Sequence, residues 1–503
     1  MAASSVVAVE QGVGEPTTAA AVRRPRLVLA VVCMVILLDA LDLSITQVAL
    51  PAIRADLQVS DLALPWIVNA YVLTYGGLLL FGGRVADLLG RRRALVAGLI
   101  LFGAGSLTCA VAPTTIWLIT ARALQGMGAA LTVPAAVAII AVTFEQGPAR
   151  DRALGVFAAF ASAGFSLGLV LGGLLTSALG WPSIFAVKVP VVALVMIGAV
   201  VAVPASRPDV RRSGSTGNRS WDGAGAVLGT SGLLLIAVAV TSASSPVLRG
   251  WLVAGCAAAG AALLVGFVAV ERRSRAPLLP LSLFKNRVVA VGDLSSLTVL
   301  VAPFGFAYLT TLYLQGVLGW SPLATGLGLL PGAALSAVVS RWAAPPLIAR
   351  LGLRTTGTTA LIMVALGFAG LALLGPQPSY LTVVLPASLV CLGLGMGLAY
   401  PTYTVAAVTD VPTDRQGVAA GIQNTALQIG GGLGLAIVSA VVATGTHDPT
   451  SHIVALRLGV LAGCVVPLMG AALTAIGLRP RSLHQPQPDP TQQSEETARH
   501  DRP

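Results

Sequence analysis

Charge is what this sequence has least of. Only 10% of its 503 residues are Asp, Glu, Lys or Arg, against roughly 25% in a soluble domain. That shortage excludes an ordinary cytoplasmic enzyme, a disordered regulator and a secreted domain. Cysteine is scarce too. Cys33, Cys109, Cys256, Cys391 and Cys464 form no CxxC pair and each lies in an apolar run. Neither a metal site nor a disulfide framework is expected from them, only small apolar packing. The four histidines, His447, His452, His484 and His500, fall in loops and tail and make no catalytic or metal cluster. No P-loop occurs, so ATP drive is not encoded and no cofactor is called for. What fills the chain is apolar: 55% of residues are hydrophobic and mean hydropathy is +0.85.

Crossing ~30 Å of hydrocarbon takes about 20 mostly apolar residues. Charge-free runs long enough for two crossings recur at 94–121, 294–340 and 355–409. Breakers such as Ala112-Pro113-Thr114 and Gly375-Pro376-Gln377-Pro378 split them into hairpins. The result is fourteen predicted spans: 27–50, 65–83, 94–112, 115–140, 153–177, 183–203, 223–241, 251–270, 288–314, 324–342, 356–374, 381–404, 417–443 and 454–477. The fold class expected is an all-α polytopic membrane protein. The first span follows Arg23, Arg24 and Arg26 as a signal peptide would, but it is too long for one and no small-residue cleavage site follows. It is read as uncleaved. Residues 1–26 and 478–503 read as disordered cytoplasmic tails.

The charges test this count. With the N-terminus inside, 26 of the 31 basic residues fall on one side, including Arg84, Arg91–Arg93, Arg150, Arg152, Arg272, Arg273, Arg341, Arg350 and Arg354. Arg54 and Arg249 lie on the other side, and Arg122, Lys188 and Arg457 lie inside spans. Such bias marks cytoplasmic loops, which puts the chain in the cell membrane with both termini cytoplasmic. The net charge of +11 therefore reports topology, and no nucleic-acid partner is expected.

Two loops resemble each other. Gly83-Arg84-Val85-Ala86-Asp87-Leu88-Leu89-Gly90-Arg91-Arg92 follows the second span, and Pro345-Pro346-Leu347-Ile348-Ala349-Arg350-Leu351-Gly352-Leu353-Arg354 follows the tenth. A slide of 262 superposes Gly90 on Gly352 and Arg92 on Arg354. Asp151-Arg152 and Asp414-Arg415 correspond roughly. The simplest layout is a six-helix bundle at 27–203, linkers with a two-helix insert at 204–287, and a second six-helix bundle at 288–477.

With these features the chain resembles the major facilitator superfamily, in particular its fourteen-span drug:proton antiporter group. The loop carrying Gly83, Asp87, Gly90, Arg91 and Arg92 is similar to the signature loop G-x-x-x-D-x-x-G-R-R/K. In the family this loop governs the switch between inward and outward states. Asp87 near helix ends, with Arg91 and Arg92, can form a charge-assisted latch; otherwise the arginines only set topology. Leu41-Asp42-Leu43-Ser44-Ile45-Thr46-Gln47-Val48-Ala49-Leu50-Pro51 resembles the group's first-helix motif, with Ser44 and Gln47 as variants. An Asp at a helix centre costs at least ~2.5 kcal/mol on insertion scales, so Asp42 should face a cavity or a partner. Asp39, three residues away and on the same face, lies outside the motif. Both are either proton carriers or satisfied structural carboxyls.

Arg122-Ala123-Leu124-Gln125-Gly126-Met127-Gly128 resembles the family's R-x-x-Q-G-x-G, and Arg122 lies at a depth similar to Asp42. An Arg122–carboxylate pair that opens with protonation is expected, or the same pair as simple structure. Gly155, Gly164, Gly168, Gly172 and Gly173 have the spacing of the antiporter motif, with Leu169 where the motif has Pro. The stripe suits close helix contact in any case. Lys188 stands where the family usually has Asn. It either snorkels outward or faces the cavity, pairing with Asp42 or favouring an anionic substrate. Asp293 is the intramembrane charge of the second half and is placed at the inner mouth. Gln47, Gln125, Tyr400 and Tyr403 complete the expected cavity lining, against plain packing for the tyrosines.

The resemblance implies a secondary transporter, not an enzyme. Its partners would be a small amphipathic compound, protons and the lipid bilayer, with drug or antibiotic efflux by alternating access. The Ala/Arg-rich, Lys-poor composition suits a GC-rich bacterial genome. Export or symport of an endogenous metabolite, or a non-transporting membrane sensor or scaffold, are the rival readings.

Overall fold

The computed structural model describes residues 25–145, 147–204, 223–243, 250–274, 278–279, 281–374, 380–411, 416–443 and 449–478. Among the described residues there is no strand. Thirteen helices among the described residues are long and apolar enough to cross a bilayer. The first half holds α1 (Pro25–Asp56), α2 (Trp66–Leu89), α3 (Arg91–Ala110), α4 (Thr115–Thr143), α5 (Arg152–Leu179) and α6 (Ser183–Ala202). Two more follow, α7 (Ala224–Ser242) and α8 (Gly250–Arg273). The second half holds α9 (Arg287–Val317), α10 (Pro322–Leu373), α11 (Tyr380–Val408), α12 (Gln416–Ala443) and α13 (Arg457–Gly477).

The sequence reading separates 324–342 from 356–374 by a loop. The structure instead runs both through α10, whose 52 residues would measure about 78 Å as one straight helix. That is more than twice the hydrocarbon thickness. A π-helical turn occupies Val339–Ala343, and Gly352 leaves helical geometry with φ 76° and ψ 170°. Gly90, between α2 and α3, has φ 92°. The two glycines superposed by the slide of 262 thus both adopt the left-handed region that a side chain disfavours.

The same slide relates two helix contacts. On α5, a Cβ at Gly164 would stand 2.6 Å from the Leu37 carbonyl oxygen, and one at Gly168 would stand 2.7 Å from that of Leu41. At Gly172 the distance to the Ile45 oxygen would be 2.8 Å. Glycine every fourth residue lets α1 lie directly on the α5 backbone. In the second half, Gly430 of α12, 262 residues beyond Gly168, meets the Leu297 carbonyl of α9, and a Cβ on Gly434 would stand 2.6 Å from the Val301 Cα.

The closest contacts between the halves lie toward the arginine-poor end and at mid-helix. Gln315 Nε2 donates to the Val48 carbonyl at 2.9 Å. A Cβ on Gly173 would stand 2.5 Å from the Leu323 Cα, and Gly326 meets the Leu169 carbonyl. At mid-helix Gly76 and Gly432 press on Gln428 and Leu73, while toward the arginine-rich end Leu80 only reaches ordinary contact, 3.5 Å, with Gly421. α7 leans on α2 and α12, and Trp66 Nε1 donates to Thr241 Oγ1 at 3.2 Å. α8 packs on α7 and exposes large apolar side chains such as Trp251 and Val265. A surface of that kind needs lipid or a partner to cover it.

Candidate functional site

The polar residues of α1, α4 and α6 converge on one carboxylate. Asp42 is fully buried and is paired through Oδ2 with Arg122 Nη1 and through Oδ1 with Lys188 Nζ. Arg122 is held from three sides. Its Nε donates to the Ile67 carbonyl of α2 at 2.9 Å, its Nη1 to Gln125 Oε1 at 2.8 Å, and its guanidinium lies 4.4 Å over the Tyr71 ring. Gln125 in turn donates to Ser106 Oγ of α3 at 2.7 Å. Lys188 Nζ sits 4.4 Å from the Phe185 ring centre. Burying charge is tolerable only when the ions are paired and hydrogen-bonded to this degree. Arg122 Nη2 nevertheless keeps no hydrogen-bond partner.

Lys188 does not snorkel. It is 1% exposed and turned to Asp42, so of its two expected orientations the structure adopts the inward one. Asp39 and Asp42, one helical turn apart, part company. Asp39 accepts a hydrogen bond from the Tyr71 hydroxyl rather than pairing with Arg122. The partners that sequence reasoning missed lie on α2 and α3: Tyr71, the Ile67 carbonyl and Ser106. A signal was present for α2, where Asn69, Tyr71, Thr74 and Tyr75 crowd an otherwise apolar span. Backbone carbonyls carry no such signal.

The remaining expected residues scatter. Gln47, one turn beyond the cluster, is buried with both amide atoms unpartnered. Tyr400 of α11 is 43% exposed and lies near enough to Asp39 and Tyr75 of the first half for their charges to be felt. Tyr403 is buried, its hydroxyl 2.7 Å from Thr474 Oγ1, which lies 2.9 Å from Ser295 Oγ. That network fastens α9, α11 and α13 together, so Tyr403 is packing in the second half. Asp293 is 3% exposed, enclosed rather than at an open mouth. Asp87 is exposed in the last turn of α2, and Arg91 and Arg92 open α3 across the Gly90 turn from Gly83. Leu169, in the place of the motif's Pro, is buried with its carbonyl against Gly326. A separate cleft of about 160 Å³ lies at the arginine-poor end beside the Arg54–Asp61 pair, away from the cluster.

A family model described as Major Facilitator Superfamily matches residues 32–435. The chain belongs to the Major Facilitator Superfamily. Within the superfamily it is 38% identical to the puromycin resistance protein pur8 of Streptomyces alboniger, over 82% of this chain and 81% of that protein. It is 36% identical to the cephamycin export protein CmcT of Amycolatopsis lactamdurans, over 88% and 90%. It is 35% identical to the multidrug resistance protein Stp of Mycobacterium tuberculosis (strain CDC 1551 / Oshkosh), over 80% and 73%. Among solved structures, a POT family transporter in complex with a thioalcohol-conjugated peptide superposes with a TM-score of 0.67 at 14% identity, covering 90% of this chain and 96% of that one. A mutant of the nucleoside transporter NupG gives 0.62 at 14%, covering 90% and 100%. At such identity the likeness is one of fold. A superfamily transporter with this many apolar helices is a multi-pass protein of the cell membrane.

Proposed function

We propose that this protein exports small amphipathic compounds, antibiotics among them, in exchange for protons. The observation that carries the proposal is Asp42, a single buried carboxylate shared by Arg122 and Lys188. A proton on Asp42 removes the only negative charge between two buried cations. An unpaired buried charge costs several kcal/mol, so protonation destabilises this arrangement and favours another in which the cations find water or a different anion. Proton binding and helix rearrangement are coupled by that cost. The names of relatives that confer puromycin resistance or export cephamycin support export of antibiotics as the direction and cargo.

In this reading the arginine-rich end is cytoplasmic, both termini are inside, and α10 crosses twice, once on each side of Gly352. The crossings then number fourteen in a six, two, six arrangement. Contacts between the halves toward the arginine-poor end close the outer side, so the conformation is inward-facing. Tyr400 and Asp39 lie on the route a compound takes from the cytoplasm. Asp87, Arg91 and Arg92 then act at the inner gate, and Gly164, Gly168, Gly172 and Gly173 give α5 the smooth face along which helices slide.

The test is reconstitution into liposomes with a pH-sensitive dye inside and an imposed proton gradient. Adding puromycin should produce compound-dependent proton movement in the wild type and none in Asp42→Asn. Equal proton movement in both would sink the coupling role of Asp42, and no compound transport at all would sink the export reading.

A further inference from the structure

Asp293 is the opposite of Asp42. It is 3% exposed, and neither carboxylate oxygen has a hydrogen-bond partner. It belongs to none of the ion pairs Arg54–Asp61, Arg122–Asp42 and Lys188–Asp42, and no cation among the described residues pairs with it. The groups that the packed elements offer this stretch of α9 can be named. Tyr403 of α11 and Thr474 of α13 bond each other and turn to Ser295, about 200° around the helix from Asp293. Arg287, the nearest cation along α9, donates to the Gly477 and Ile476 carbonyls at the end of α13 instead, at 2.7 and 3.2 Å. Lys285 is exposed.

From α12 comes an amide. Leu297 against Gly430 and Val301 against Gly434 set α9 and α12 parallel and in register, which brings Asp293 opposite Ala426, one turn from Gln423. Gln423 Nε2 is buried and has no partner. An ionised carboxylate without a donor or a counter-ion in such a place costs several kcal/mol. The same group holding a proton costs far less. Asp293 lies six residues from Arg287, about 9 Å along the helix, so its path to the arginine-rich end is short.

We propose that Asp293 is a second proton-binding site, independent of the Asp42 cluster, that holds its proton in this conformation. It surrenders that proton toward the arginine-rich end when α9 and α12 part enough to admit water, and Gln423 Nε2 then donates to the carboxylate left behind. The ligand of the site is the proton alone. In the opposite conformation Asp293 takes up its proton from the arginine-poor side, so each transport cycle carries one proton more across the membrane than the Asp42 cluster alone would carry. This second step rests on the export reading above; occupancy of Asp293 by a proton does not.

Infrared difference spectroscopy on the purified full-length protein tests occupancy directly. At neutral pH, Asp293→Asn should remove one protonated-carboxyl C=O band that Asp42→Asn leaves in place. Labelling with the apolar reagent dicyclohexylcarbodiimide, which adds to protonated carboxyls, should mark Asp293 by mass spectrometry. An unchanged infrared band in Asp293→Asn overturns the proposal outright. In liposomes that transport, the proton-to-compound ratio should fall by one in Asp293→Asn. Loss of the band with an unchanged ratio overturns the coupling step. If wild-type liposomes move no compound, the export reading fails while the infrared result still decides whether Asp293 holds a proton.

Discussion

The two halves of this molecule are built alike and charged differently. Leu37, Leu41 and Ile45 lie on the α5 glycines as Leu297 and Val301 lie on those of α12. Gly90 and Gly352 turn the chain with the same sign of φ. Yet the first half buries Asp42, Arg122 and Lys188 in one bonded cluster, with Asp39 held apart by Tyr71, whereas the second buries Asp293 among neutral groups. Backbone packing, which needs only small residues in register, is common to both halves. The charge chemistry is not, because a handful of substitutions on a finished scaffold can add or remove it.

The largest effect should come from breaking that asymmetry at its charged pole. Asp42→Asn leaves Arg122 and Lys188 without a counter-charge, a loss of about 3–5 kcal/mol that thermal unfolding in detergent would register. Asp293→Asn removes no partner and should change stability by less than about 1 kcal/mol. Equal losses in the two variants would contradict the contrast between the halves.

The shared packing can be probed next. Gly168→Val and Gly430→Val each drive a side chain into the carbonyl of a facing helix, Leu41 and Leu297, and should each destabilise by about 1–3 kcal/mol. A variant tolerated in one half and not in the other would show the contacts to be unequal. Smaller again, Gly90→Ala and Gly352→Ala should cost about 1–2 kcal/mol apiece for the left-handed backbone, read as matched falls in melting temperature. Least of all, Lys188→Met leaves the Arg122–Asp42 pair balanced one to one. It should alter stability by about 1 kcal/mol or less and keep proton coupling in the liposome assay. Complete loss of coupling would make Lys188, and not Arg122, the leading partner of Asp42.

Much of the architecture was legible beforehand. Span positions followed from hydropathy, and the glycine stripe and the Gly90–Gly352 correspondence were visible as spacing. The count of separate helices differed by one because α10 keeps helical hydrogen bonding around Gly352, and a Pro-Pro pair begins a helix as readily as it ends one. In the site, the pairing of Asp42 with Arg122 could be expected from motif and depth. Lys188 was open between two orientations, Tyr403 was open between cavity lining and packing and bonds within the α9–α11–α13 packing, and Tyr71 was not foreseen.

The division has a physical cause. Hydropathy and charge bias are local sums along the chain, so the sequence by itself determined which segments are apolar enough to cross, where the arginines gather and which few charges are buried with them. Each residue turns a helix by about 100°, and the angle at which a helix finally rests is set by contacts with helices far away in the chain. That angle decides which neighbour a side chain meets. Only the tertiary structure, therefore, gave Asp42 two cations, Asp39 a tyrosine and Asp293 none.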